Sequence, residues 1–135
     1  MRIQNIILTF LSLALFLACA SENTELKDEV IAIHDEVMPH MGKLQSLQKE
    51  LTEKADLLAL EDSVGLGEEI SNLRNTAAEL GSAYEGMFVW MRQFEPDQGE
   101  LTTEEYEVYL NDQKILVEKV KRDINQALEK AERLE

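Results

Sequence analysis

The chain has 135 residues and a formal net charge of −14, from 27 acidic and 13 basic side chains. So acidic a protein is not expected to bind nucleic acid, which requires clustered Lys and Arg to displace counterions, or to bind anionic lipid headgroups through protein charge. Its length suffices for one modest domain. Its single cysteine, Cys19, leaves neither a disulfide framework nor a thiolate metal site within one chain.

The first predicted element is a secretory signal over residues 1–18. Arg2 precedes an apolar run over residues 6–17, which is too short to span a bilayer. Leu17-Ala18-Cys19 ends this run and resembles the bacterial lipoprotein box, which implies that the Cys19 thiol is lipidated and the preceding peptide removed. The alternative is ordinary cleavage, which would leave an odd free thiol. We therefore expect a membrane anchor at Cys19 and a short tether over residues 19–23.

Three helical stretches follow the tether, together forming a domain over residues 24–135. Apolar residues recur every three or four positions over residues 24–61, 66–94 and 103–134, which is typical of amphipathic helices. Breaks rich in turn-forming residues separate the stretches. Helices joined by short loops fold back on one another. The sequence thus predicts an all-α fold, an antiparallel three-helix up-down-up bundle, rather than one long coiled coil.

Two local signals refine this prediction. Pro39 lies inside the first periodic stretch, whose apolar stripe continues on both sides. A proline inside a helix removes a hydrogen bond and bends the axis, so we expect the first helix to kink at Pro39. Thr102 and Glu105 have the spacing of a capping box, which predicts the start of the third helix.

Methionines and a histidine gather at one end of the predicted bundle. Antiparallel pairing brings one face of the first helix level with one face of the second, and both faces carry candidate soft-metal ligands: His34, Met38, Met41, Met87 and Met91. Thioether and imidazole ligands suit Cu(I). Methionine also fills irregular gaps in apolar cores. Core packing without a cofactor is the favoured interpretation, and the alternatives are a site for copper or another soft metal and a site for a small apolar ligand.

Two stretches resemble a known family. Residues 33–44, IHDEVMPHMGKL, and residues 90–96, WMRQFEP, are similar to signature stretches of small helical lipoproteins of Gram-negative bacteria. These lipoproteins have no known function and often carry the label "viral A-type inclusion protein". Relatives have methionine where this chain has Ile33 and Phe88, an exchange that a core tolerates better than a metal site does. The resemblance implies a lipid-anchored protein of the cell envelope, at the Gram-negative outer membrane.

Catalytic motifs are lacking in the sequence, so we do not expect an enzyme. The chain has no Gly-rich phosphate loop, and His34 and His40 are six positions apart rather than the four of a helical zinc motif. A di-iron bundle needs Glu three residues before each histidine, where this chain has Ile31 and Val37.

A binding or scaffolding role in the envelope, with a protein partner, is therefore the predicted function. The antiparallel register predicts that residues 24–32 project beyond the second loop. The apolar stripe of Leu26 and Val30 would then need a cover, from the loop over residues 95–101, from a partner or from the bilayer interface. We expect a partner surface formed by Leu26, Val30, Trp90 and Phe94.

Overall fold

The computed structural model describes residues 23–134. The predicted signal peptide, Cys19 and the tether up to residue 22 lie outside this range. The described residues form α1 (residues 23–37), a 3₁₀ turn (Met38–His40), α2 (Met41–Asp62), α3 (Gly67–Gln93) and α4 (Thr103–Glu132), with no strand among them. The prediction of an all-α chain in which helices pack on one another is confirmed.

The 3₁₀ turn lies at Pro39. Proline has no N–H to donate, and its ring clashes with the carbonyl four residues earlier. The α-helical pattern therefore stops at residue 37, continues for three residues as a 3₁₀ turn, and resumes at Met41.

The connection between α2 and α3 is short and is held by one carboxylate. Asp62 Oδ1 accepts hydrogen bonds from the backbone N–H groups of Val64 (3.1 Å) and Gly65 (2.8 Å), a local bonding pattern that favours a turn. Glu68 and Glu69 follow in the first turn of α3, where negative charge stabilises the positive end of the helix dipole.

The longer connection between α3 and α4 is fastened to α4 by two tyrosines. The Glu95 N–H donates to Tyr109 Oη at 2.7 Å, and the Tyr106 hydroxyl donates to the Pro96 carbonyl at 2.6 Å. The predicted capping box at the start of α4 is confirmed: Thr102 Oγ1 accepts from the Glu105 N–H, and the Glu105 side chain accepts from the Thr102 N–H.

Contacts between the helices show their relative directions. Arg74 of α3 bonds Asp56 of α2 at 2.9 Å, while farther along α3 the His34 and Trp90 rings meet, so residue numbers fall on one helix as they rise on the other. Lys114 and Lys121 of α4 instead bond acidic residues of α1 in the same numerical order, Glu29 and Glu36. The first helical segment thus runs opposite to α3 and in the same direction as α4.

The core lies between the helices and is almost wholly aliphatic, with the lone tryptophan at one end. α3 packs against both α2 and α4, so its buried face is wider than a single seam and includes Thr76, Ala83 and Trp90, spaced by seven. The fully buried larger side chains of the core are Val30, Val37, Leu44, Leu51, Leu73, Leu80, Met87, Leu110, Val117 and Ile124. None of the helices in the described range is long and apolar enough to cross a membrane.

The start of α1 corrects one expectation. The register predicts that residues 24–32 project beyond the second loop, with an apolar stripe that needs a cover from the loop over residues 95–101, from a partner or from the bilayer interface. Instead, the Asn23 side-chain amide donates a 2.9 Å hydrogen bond to the Thr103 carbonyl, and Val30 is fully buried. The first turns of α4 and the loop before it extend far enough to cover this part of α1.

Candidate functional site

His34 lies on α1 with its ring against Trp90 of α3. The ring centroids are 5.7 Å apart and tilted by 34°. His34 Nδ1 lies 2.8 Å from Asp35 Oδ1. A carboxylate only accepts hydrogen bonds, so this contact places a proton on Nδ1.

The other imidazole nitrogen, Nε2, faces the interior. It is buried and has no hydrogen-bond partner among residues 23–134, and the same holds for the indole Nε1 of Trp90. In the neutral tautomer set by Asp35, Nε2 carries a lone pair rather than a proton. The site therefore presents an unused, inward-facing donor atom of a kind that binds soft and borderline metal ions.

A run of aromatic rings extends from His34 to α4. Trp90 stacks on Phe94 (4.9 Å between centroids), Phe94 on Tyr109 (6.4 Å) and Tyr109 on Tyr106 (6.1 Å). These separations fall in the range of favourable aromatic pairs. The run joins α1, α3 and α4 at the end of the protein where residue 23 lies.

The predicted metal ligands occupy different environments. Met41 and Met87 are buried in the same core cluster, and Met38 packs against that cluster from the 3₁₀ turn. Met91 is 38% exposed, because Trp90 takes the core position at this level of α3. His40 is exposed. The structure thus places Met41 and Met87 in the core, Met38 against the core and His34 against Trp90, and it leaves Met91 partly exposed.

The predicted partner surface is not an open face. Val30 and Trp90 are buried, while Leu26 and Phe94 are partly buried. Trp90 is covered by His34 on one side and Phe94 on the other. These residues hold the protein together and do not form a free docking surface.

A different surface carries exposed apolar side chains and was missed in the sequence. The α4 outer face is defined here as Glu104, Val108, Asp112, Ile115 and Lys119, which recur at helical spacing on the side of α4 turned away from the core. Val108 and Ile115 are each 62% exposed, and Leu116 beside them is 46% exposed. The signal in the sequence is the seven-residue spacing between two β-branched residues, Val108 and Ile115, which lie outside the apolar stripe that forms the core side of α4.

Other features of the described chain do not form a site. Residues 23–134 contain no group of three or more His, Cys, Asp or Glu side chains that could hold a metal ion. A groove of about 370 Å³ between α3 and α4 is lined mainly by small side chains such as Ala83 and Gly86. A Cβ added at Gly42 or Gly86 would meet nothing within 4 Å, so neither glycine marks a close approach between two helices.

Two resolved pKa shifts in α4 reflect its packing. The hydrogen bond to Glu29 raises the pKa of Lys114, which keeps that ion pair charged well above neutral pH. Burial, with the charge of Asp97 nearby, raises the pKa of Tyr106, so its hydroxyl stays protonated and donates to Pro96. The Lys114–Glu29 bond joins α4 to α1, and the Tyr106–Pro96 bond joins α4 to the second loop.

In comparisons with protein-family models, curated proteins and solved structures, nothing matches this chain.

Proposed function

We propose that this protein is a lipid-anchored protein of the cell envelope whose helical domain has a binding or scaffolding role. The domain is proposed to be an antiparallel three-helix up-down-up bundle with its first helix kinked at Pro39. Opposite directions of the first helical segment and α3, and the 3₁₀ turn at Pro39, support this arrangement. The protein is not proposed to be an enzyme.

Anchoring is supported by the sequence Leu17-Ala18-Cys19 after an apolar run, and by the resemblance to small Gram-negative lipoproteins. Cys19 precedes Asn23 by four positions, and Asn23 bonds the first residue of α4. An anchor at Cys19 would therefore hold the bundle by the end where α1 and α4 begin. The outer membrane of a Gram-negative bacterium is the proposed location.

The observation that carries the binding role is the α4 outer face. Val108 and Ile115 expose most of their surface on a helix whose other side is fully packed, and an apolar stripe with charged flanks is typical of a surface that binds another helix. The remaining surface is strongly acidic, which favours solubility and disfavours nonspecific association.

Acylation and fractionation test the anchor. The full chain, expressed in a Gram-negative host supplied with tritiated palmitate, should incorporate label and sediment with the outer membrane. Cys19→Ser should lose the label and leave the membrane fraction, whereas the neighbouring exchange Ala20→Ser should change neither property. Unlabelled wild-type protein in the soluble fraction would refute the proposal.

A second candidate function, binding of Cu(I), is favoured by one observation: the buried, unpartnered Nε2 of His34. Asp35 holds the opposite nitrogen, as carboxylates do for metal-binding histidines. Met41 and Met87 belong to the core cluster that also contains Trp90, the ring that His34 contacts.

A competition titration tests this candidate. A Cu(I) chelator competes for the metal with a soluble protein that begins at residue 20 and contains every residue that the structure describes. Binding should quench the fluorescence of Trp90, the only tryptophan. His34→Gln should abolish binding, while Met91→Leu, at the exposed edge, should retain it. A dissociation constant weaker than about 1 μM would end the copper interpretation.

A further inference from the structure

A second group of exposed apolar side chains lies at the end of α2 and in the turn that follows it. Leu57, Leu60 and Val64 are 68%, 85% and 90% exposed, the highest values among the large apolar side chains of residues 23–134. Their spacings of three and four place them on one side of a helix, and the buried Leu51 and Ala55 of α2 lie on the other side. Leu57, Leu60 and Val64 are called the α2 end face below.

The turn after α2 keeps Val64 close to the line of the helix. Ser63 has helical backbone angles, φ −68° and ψ −19°, and the Leu66 N–H donates to the Asp62 carbonyl at 3.2 Å, with the four-residue spacing of an α-helical bond. The Asp62 carboxylate also accepts bonds from the backbone N–H groups of Val64 and Gly65. The exposed apolar side chains are therefore presented by a hydrogen-bonded backbone.

The acidic side chains beside the α2 end face are not neutralised. Glu50 precedes Leu57 by seven residues and Glu61 follows it by four, so both flank the apolar side chains on the helix. Glu68 and Glu69 begin α3 directly after the turn. Within residues 23–134, none of these four carboxylates makes a side-chain hydrogen bond or an ion pair.

The basic side chains of this region are already used within the chain. Between residues 49 and 74 each cation has an acceptor: Glu53 for Lys49 (3.7 Å), the Leu134 carbonyl for Lys54 (2.9 Å) and Asp56 for Arg74 (2.9 Å). The negative charge of the four glutamates therefore remains in surplus. An apolar surface with surplus negative charge at its border is complementary to one that is both apolar and basic.

We infer that the α2 end face binds a basic amphipathic helix of another protein. The apolar side of that helix covers Leu57, Leu60 and Val64, while its Lys and Arg side chains pair with Glu50 and Glu61. The distance from residue 57 to residue 64 is about 10 Å along the axis, which matches apolar residues on two turns of a partner helix. A second copy of this chain would bring the same carboxylates together, and an anionic lipid surface would repel them.

The α2 end face lies at the opposite end of the protein from Asn23. The bond between Lys54 and the Leu134 carbonyl places the end of α2 beside the end of α4, whereas Asn23 bonds the first residue of α4. An anchor at Cys19 would therefore leave the α2 end face directed away from the membrane. The inference uses neither the anchor nor the α4 outer face, so it can fail while the proposed function stands.

Titration with a model peptide tests the inference. The probe is a fluorescently labelled helical peptide of about 18 residues, or five turns, with leucines on one side and lysines on the other. It is titrated with the soluble protein that begins at residue 20, which contains every contact described for residues 23–134. Saturable binding with a dissociation constant below about 100 μM is expected, whereas a peptide with glutamate in place of lysine should not bind. Absence of saturable binding of the lysine peptide in this range overturns the inference.

Matched apolar variants locate the binding surface. The double exchange Leu57→Gln and Leu60→Gln should weaken binding at least about tenfold, because two leucines lose their apolar contact. The double exchange Val108→Gln and Ile115→Gln, on the α4 outer face, should leave binding unchanged. All four positions are exposed, and circular dichroism checks that each variant keeps its helices. The reverse order of effects, or equal effects of the two variants, contradicts binding at the α2 end face.

Matched charge variants separate a local ion pair from general attraction to an acidic protein. Glu50→Gln with Glu61→Gln should weaken binding several-fold at low salt. Glu100→Gln with Glu104→Gln removes the same charge at the other end of the protein and should change binding little. Equal losses in the two variants contradict the pairing with Glu50 and Glu61.

The other possible occupants are tested with the same leucine variant. A dimer in analytical ultracentrifugation that Leu57→Gln with Leu60→Gln abolishes would identify a second copy as the occupant. Binding to vesicles of phosphatidylglycerol that the same exchange abolishes would identify a lipid surface. Either result overturns the inference, and the wild-type protein is expected to show neither.

Discussion

The side-chain amide of Asn23 donates a 2.9 Å hydrogen bond to the backbone carbonyl of Thr103, 80 residues later in the chain. This bond joins the start of the described part of α1 to the first turn of α4. It also covers the end of the protein at which a lipid anchor would attach. Val30, two turns later in α1, is also buried, so α1 is part of the packed structure from residue 23 onward.

Removing this bond should weaken the packed structure measurably. Asn23 is buried, and an ordinary intramolecular hydrogen bond contributes about 1 kcal/mol. Asn23→Ala should therefore lower the free energy of unfolding in urea by about that amount, whereas the exposed neighbour exchange Glu25→Ala should have little effect. Equal stability of Asn23→Ala and wild type would show that the bond contributes nothing.

The capping box at the start of α4 makes a second prediction. Thr102→Ala removes the oxygen that accepts the Glu105 N–H, and loss of an N-cap typically costs about 1 kcal/mol. Thr103→Ala, one residue later, should be neutral or slightly stabilising because alanine is the better helix former. Chemical denaturation of the two variants gives the comparison, and a reversed order would contradict the assigned cap.

The folded protein should lose stability in acid, because two glutamates, Glu105 and Glu132, become protonated. Hydrogen bonds from Thr102 lower the pKa of Glu105, and the bond from Lys43 lowers the pKa of Glu132, each from an ordinary value of 4.5. A carboxyl group with a lowered folded pKa stabilises the fold above its unfolded pKa, and this contribution is lost as pH falls through the folded value. The free energy of unfolding should therefore begin to drop as pH falls below the ordinary glutamate value.

A double-mutant cycle identifies one source of that acid sensitivity. Glu132→Gln and Lys43→Met should each reduce the acid-induced loss of unfolding free energy. The double variant should reduce this loss no further, because both exchanges remove the same ion pair. High salt should shrink the difference between wild type and variants, since both side chains are exposed to screening ions. Additive effects of the two exchanges would contradict a direct pair.

The two sides of α4 should respond very differently to truncation. Leu110 is fully buried and Val108 is 62% exposed. Leu110→Ala should cost about 2–5 kcal/mol through lost contacts and a cavity, whereas Val108→Ala should change stability by less than about 0.5 kcal/mol at a concentration where the protein is monomeric. Thermal unfolding followed by circular dichroism measures both, and a large loss for Val108→Ala would show that this face is packed.

Exchange of glycine for alanine should change the stability of the protein in opposite directions at Gly86 and Gly99. A Cβ at Gly86 or Gly99 would meet nothing within 4 Å, and only Gly99 has a positive φ, of 57°. Gly99→Ala should therefore destabilise by about 1 kcal/mol, because side chains disfavour the left-handed region. Gly86→Ala, inside α3, should stabilise by about the same amount. Equal effects at both positions would contradict the left-handed conformation of Gly99.

The helices could be predicted because their causes are local. Apolar spacing identified the helical stretches, and the ends of α3 at Gly67 and Gln93 lie one residue from the predicted bounds. Thr102 and Glu105 are three residues apart, so their capping box could be read from the sequence. The turn with Gly99 was likewise visible as a cluster of turn-forming residues.

The candidate sites could be predicted only in part, because their decisive contacts are long-range. Sequence pattern placed Met91 on the α3 seam, yet α4 widens the buried face of α3 and Trp90 occupies the core instead. The role of Asp35 beside His34 depends on side-chain geometry, not on periodicity. Val108 and Ile115 were visible in the sequence as apolar residues at helical spacing. The apolar stripe that forms the core side of α4 is longer, so the periodicity of the helix indicated only its buried face.

Mass spectrometry of the protein's N-terminal tryptic peptide tests the central claim, a lipid-anchored envelope protein, most directly. Protein purified from membranes should yield a peptide over residues 19–27 that begins at Cys19 and carries fatty acyl groups on that residue. A peptide that retains residues before Cys19, or that contains an unmodified thiol at Cys19, would contradict the proposed anchor and the location inferred from it.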